Sequence, residues 1–204
     1  MTVVFERTGW RRYAVRVCRE GAPQLVMDPA PGYDRLVPHD LLHMVVEARL
    51  GLEGGIFGQL ARDGDAGTFG ARGAHPLGVR AAARDRRRRK KRGARLRREG
   101  SEDSELSELA TYLCWFEWLR RSTVEERRGQ ALAMREQAAS LRRSWPADGR
   151  QLDERVVATV CSDLDELSAR WSRLAIGESM SVAWPHLTSE PFASGPPLAA
   201  SFPR

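Results

Sequence analysis

The sequence predicts an α+β fold, a small and mainly antiparallel sheet carrying four or so helices. Three observations predict it: apolar residues alternate with period two near the start, stripes of period 3.6 run through much of the second half, and a last alternating run falls near residue 180. Val3 and Phe5 alternate with Val4 and Glu6. Beyond the Gly9 turn, Tyr13, Val15 and Val17 alternate with Arg12, Ala14 and Arg16, which makes a hairpin. Gly21 and Pro23 break the run, residues 24–28 read as a third strand, and Pro29, Pro31 and Gly32 form a loop. Pro38 suits the first turn of a helix running from 39 to about 50, with a resumption over 56–62 after Gly51, Gly54 and Gly55. Residues 101–108 are an acid-rich first turn leading into Leu106, Leu109, Leu113 and Phe116, and Arg120 and Arg121 close that helix in keeping with its dipole. Ser122 and Glu125 have the spacing of a capping box, which predicts a helix through about 143. Leu152, Val156, Val160, Leu164, Leu167 and Trp171 share one stripe of a helix over 151–174. Met180, Val182 and Trp184 alternate as a final strand.

Charge divides the chain. Residues 80–98 hold twelve Lys or Arg against the single acid Asp85, so this stretch carries +11 of a net +6 and the remainder is acidic at −5. The expected organisation is therefore strands and a His-bearing helix over 1–62, then a Gly- and Arg-rich insert over 63–100, exposed and mostly flexible loop. A helical part with the last strand follows over 101–184 in the same domain as 1–62, then a Pro- and Ser-rich tail over 185–204. No apolar run approaches the roughly 20 residues of a membrane-spanning helix. Cys18, Cys114 and Cys161 are odd in number and widely spaced, which argues against a disulfide framework or a thiolate zinc site. With no signal-like start, the expected location is cytoplasmic. Thirty-one Arg to two Lys, with no Asn, suggest a GC-rich bacterial genome.

Two of the four histidines fall in one short segment, Pro38-His39-Asp40-Leu41-Leu42-His43 followed by Glu47. On a helix His39, His43, Glu47 and Asp40 lie within about 100° of arc, so all four share a face. Histidines at i and i+4 can converge on one divalent ion, zinc before iron or manganese, with His39 and His43 as ligands. Asp40 and Glu47 are then the candidate catalytic pair, as a further ligand, an orienting acceptor or an acid/base on bound water. His75, His186, Glu53, Asp63 and Asp65 are further ligand candidates.

The segment resembles the His-Glu-x-x-His signature of zinc metallopeptidases, with Asp40 where that family has Glu. It is closer to the His-Asp-x-x-His motif of the zinc-containing ubiquinone-biosynthesis proteins, whose ligand set is completed by a glutamate after eleven intervening residues; here that position is Gly55. The resemblance covers about ten residues and implies a zinc-dependent hydrolase or small-molecule-modifying enzyme.

The alternative function is a non-enzymatic interaction protein. Arg86, Arg87, Arg88, Arg89, Lys90, Lys91 and Arg92 would neutralise the phosphates of a nucleic acid or dock an acidic protein. The run has no interleaved aromatic residue, which argues against sequence-specific readout. The glycines of 51–58 match neither a phosphate loop nor a dinucleotide fingerprint, and the segment around Ser179 lacks the frame of a nucleophile elbow.

Overall fold

The computed structural model describes residues 1–71, 78–146 and 152–188; His75 and most of the expected tail lie outside them. The expected α+β class is what the chain adopts. Among the described residues five strands form one antiparallel sheet in the order β4-β3-β2-β1-β5: β1 Thr2–Gly9, β2 Arg12–Cys18, β3 Leu25–Ala30, β4 Gly70–Ala71 and β5 Ser179–Ala183. Register explains the alternation read in the sequence. Val3 lies opposite Val17 and Val182, Phe5 opposite Val15 and Met180, and Val17 and Val15 face Leu25 and Met27 in turn. These pairs make two apolar rows across one face, and all of these residues are buried in the core.

Among the described residues six helices accompany the sheet: α1 His39–Leu50, α2 Ile56–Ala61, α3 Gly78–Glu99, α4 Ser101–Arg121, α5 Glu125–Arg143 and α6 Glu154–Ser172. The stripe of α6 enters the same core as the sheet rows, and Trp171 meets Tyr13 of β2 edge-on, with ring centroids 6.0 Å apart. Helix α1 is buried on nine of its twelve residues, so its polar groups must be satisfied from several directions. It ends at Gly51 in the left-handed conformation (φ 62), where the Gly51 amide returns to the Glu47 carbonyl.

Two expectations are corrected. Residues 78–99, expected as flexible loop, form the 22-residue helix α3. Arginine, lysine and alanine are strong helix formers, and like-charge pairs one turn apart cost only a few tenths of a kcal/mol each in screening water. Acids of the preceding loop also take up charge: Asp63 lies 3.4 Å from Arg19 and 3.9 Å from Arg88, and Asp65 lies 3.2 Å from Arg97. Gly93 is the one helix-interior glycine of α3, and a Cβ there would fall 2.2 Å from Asp65 Oδ1, so its small size admits the carboxylate. The second correction concerns the capping box. Helix α5 begins at Glu125 after Val124, and Ser122 Oγ accepts from the Val124 amide at 3.1 Å, which shapes the turn between α4 and α5 and caps no helix. No described helix is long and apolar enough to cross a membrane.

Candidate functional site

Helix α1 places His39, Asp40, His43 and Glu47 on one face as expected, but the surroundings send them to three destinations. Asp40 is buried against the sheet, hydrogen-bonded to the phenol of Tyr13, whose hydroxyl also lies 2.5 Å from the Pro31 carbonyl. A phenol has one hydrogen, and the two neighbouring oxygens are both acceptors if Asp40 is ionised. Burial raises the Asp40 pKa against the opposing hydrogen bond that the Tyr13 hydroxyl donates to Asp40 Oδ2. This group ties α1 to β2.

Glu47 is fully buried and caps another helix. Its Oε1 accepts from the Ile56 amide at 2.8 Å and from Ser107 Oγ at 3.0 Å, and its Oε2 accepts from the Phe57 amide at 2.8 Å. The first turn of α2 lacks a side-chain cap of its own, and the carboxylate supplies the acceptors. Gly55 leaves room for it, because a Cβ there would sit 2.3 Å from Glu47 Cδ. Burial pushes the Glu47 pKa up to about 7 although the amides of Phe57 and Ile56 and the Ser107 hydroxyl favour its charge.

His43, 1 % exposed, joins this group through Nδ1, which lies 3.1 Å from Ser107 Oγ and 3.2 Å from Thr111 Oγ1. Counting hydrogens assigns its tautomer. While Glu47 is ionised the single Ser107 hydrogen goes to it, so Ser107 accepts from His43 and Nδ1 carries the proton. Nε2 is then a bare lone pair, buried and without a hydrogen-bond partner among the described residues; the nearest anionic atom is Glu108 Oε2 at 3.6 Å. Burial first, and the neighbouring His39 second, lower the His43 pKa to about 3, so the ring is neutral at physiological pH.

His39 is exposed at the start of α1, and its ring meets that of His43 edge-on at 4.6 Å between centroids. It lines a cleft of ≈ 510 Å³ between the 31–38 loop, α1, α4 and α5, whose wall includes Tyr33, Leu42, Glu108, Thr111, Tyr112 and Trp115. His43 stands directly behind that wall, in contact with His39, Thr111 and Glu108. Glu108 is 68 % exposed on its side chain and is the carboxylate that stands beside Nε2. Asp40 and Glu47 are not in the wall.

The structure therefore brings His39 and His43 together and sends both carboxylates elsewhere. Among the described residues no group of three or more His, Cys, Asp or Glu is gathered to hold a metal ion. Of the further ligand candidates, Asp63 and Asp65 pair with arginines and Glu53 is exposed. Ser107, Glu108 and Thr111 were not anticipated. Their signal is a pair of hydroxyls four residues apart on the buried side of α4, beside Leu106 and Ala110. The basic run is also divided: Arg86, Arg87, Arg88, Lys90, Lys91 and Arg92 are exposed on α3, whereas Arg89 is buried.

Comparison with known proteins adds no family: no protein-family model matches the chain, and neither a curated protein nor a solved structure shows significant similarity to it.

Proposed function

We propose that the protein binds a small molecule in the cleft beside α1 and acts on it or holds it through His43. The observation that carries this reading is the buried, unpartnered Nε2 of His43, held through Nδ1 by Ser107 and Glu47 and standing behind a cleft wall that includes Glu108. An imidazole that gains a proton only near pH 3 is a weak base at neutral pH, so His43 serves as a hydrogen-bond acceptor or metal ligand before it serves as a general base. Tyr33, Tyr112 and Trp115 suit a flat apolar body, and Nε2 suits an N–H or O–H on its edge. In the metal-dependent form of the same reading, zinc, or iron or manganese, is held by His39 and His43 with Glu108 as the carboxylate; Asp40 and Glu47 act as positioning residues. Three unbridged cysteines suit a reducing compartment, and a cytoplasmic location is part of the proposal.

The test is titration of the full chain with zinc chloride and, separately, with indole, read by the ring ¹⁵N resonances of His43. A probe that occupies the site moves the Nε2 resonance, and His43→Ala weakens its binding at least about tenfold. His39→Ala weakens zinc more than it weakens indole. His43 resonances indifferent to both probes would contradict the reading.

A second reading rests on the outer face of α3, where six exposed cations of the run 86–92 suit the phosphates of a nucleic acid or an acidic protein. It predicts that a duplex oligonucleotide binds without sequence preference and loses affinity steeply between about 50 and 200 mM salt. Substituting Arg86, Arg87, Lys90 and Lys91 with Gln would reduce that salt slope, and an unchanged slope would sink the interface.

A further inference from the structure

At the other end of α2 from Glu47, the side chain of Arg19, just past β2, is only 8 % exposed. Its Nη1 donates to the Leu60 carbonyl at 2.6 Å and lies 3.4 Å from Asp63 Oδ1. Nε and Nη2 are buried and have no hydrogen-bond partner among the described residues. Those two nitrogens form the edge of a guanidinium that grips an oxyanion side-on. Elsewhere in this protein the same edge is occupied: Arg49 holds Asp163 through Nε at 2.6 Å and Nη2 at 2.8 Å, and Arg120 holds Glu117 through Nε at 3.0 Å and Nη2 at 2.7 Å. In Arg19 the edge is free and inside.

A second buried cation lies near enough to act on it electrostatically. Arg89 of α3 is only 4 % exposed. Burial lowers the Arg19 pKa, Asp63 raises it, and the nearby positive charge of Arg89 lowers it further, so the two cations feel each other. Asp63 does not settle the account, because it is also 3.9 Å from Arg88, which it shares with Asp85 at 3.7 Å. The buried Nε and Nη2 of Arg19 lack acceptors, and the buried cation of Arg89 adds to the positive charge around them, a combination that an anion would relieve.

We propose that Arg19 and Arg89 form an oxyanion site that takes a phosphate group, bound side-on by Nε and Nη2 of Arg19 and by the Arg89 guanidinium. Phosphate fits on two grounds: its several oxygens can accept from more than one guanidinium nitrogen, and its charge offsets both cations. The site joins the end of β2 to the middle of α3. Helix α3 otherwise buries only Ala81, Gly93 and Leu96, so an anion at Arg89 is a principal fastening of the basic helix to the body. A phosphate group on a larger ligand would reach the site from the α3 side, where Arg86 and Arg92 flank Arg89 one turn away on either side.

The experiment is calorimetric titration of the full chain with inorganic phosphate, with chloride at matched ionic strength as the control and the melting temperature followed in parallel. Expected are saturable binding of a single equivalent, a melting temperature that rises with phosphate and not with chloride, and loss of affinity by at least about tenfold in Arg89→Gln and in Arg19→Lys. Arg19→Lys keeps the charge and removes the fork. A variant with Arg86, Arg87, Lys90 and Lys91 changed to Gln is expected to keep the binding. If this outer-face variant loses it while Arg89→Gln keeps it, or if phosphate shows no saturable binding to the unmodified chain, the site is refuted. The titration of the unmodified chain decides the matter even where a variant folds poorly.

Discussion

Glu47→Ala is expected to destabilise the protein by about 3–5 kcal/mol, a large share of the roughly 5–15 kcal/mol that holds a domain together. The substitution strips the acceptors from the Ile56 and Phe57 amides at the buried start of α2, frees Ser107 from its acceptor and leaves a cavity in the core. Glu47→Gln keeps the volume but turns an NH₂ toward an N–H donor, so it costs less than alanine and more than a surface change. The deficit of Glu47→Gln relative to the unmodified chain also depends on pH. Because the Glu47 pKa is raised from 4.5 to about 7, folding takes up a proton between those values, and the stability it contributes is present at low pH and lost as pH rises through about 7. The deficit is therefore larger at pH 5 than at pH 8. Urea unfolding of both chains at the two pH values measures it, and an equal deficit at both would show that Glu47 is not protonated on folding.

Gly54→Ala and Gly100→Ala are each expected to cost about 2–4 kcal/mol, by backbone collision. A Cβ on Gly54 would lie 2.7 Å from Gly100 Cα and 2.8 Å from Gly100 O, and a Cβ on Gly100 would lie 2.6 Å from Gly54 Cα. Neither neighbour is a side chain that can turn aside. The turn after α1 is pressed here against the start of α4 and bonded to it, with the Gly54 amide donating to Asp103 Oδ2 at 2.8 Å. The double variant should cost much less than the sum, since the first methyl already separates the two backbones. Denaturant midpoints of the three chains test this; additive losses would mean that the two glycines are not in contact.

The contact also bears on the site, because it sets how α4 meets α1 and hence the distance from Ser107 to Glu47 and His43. Much of the frame was legible: period two fixed the hairpin, the third strand and the strand at 179–183, and the stripe of α6 marked its buried face. Helix α3 was not legible because its dense like charge opposes a helix on paper, while its Ala and Arg content and the acids of the 62–66 loop favour one. The site was legible only in part. Helical arithmetic put His39, Asp40, His43 and Glu47 on one face, but a helix buried on nearly all sides meets a different neighbour at each turn. Tyr13 claims Asp40, the α2 amides claim Glu47, and α4 claims His43. Ser107 reads in sequence as part of a helix start; only the packing of α4 on α1 turns it into a bridge between an acid and an imidazole.

The central claim is that Glu47, through Ser107, sets the tautomer of His43 and so keeps a bare Nε2 behind the cleft. The most direct measurement is the pair of ring ¹⁵N shifts of His43 in the ligand-free protein near pH 9, where Glu47 is ionised. The account predicts a neutral ring with the proton on Nδ1, and a ring that stays neutral as the pH is lowered to about 5 because burial holds its pKa near 3. A proton on Nε2 at pH 9, or a His43 that titrates near 6.5, would contradict it.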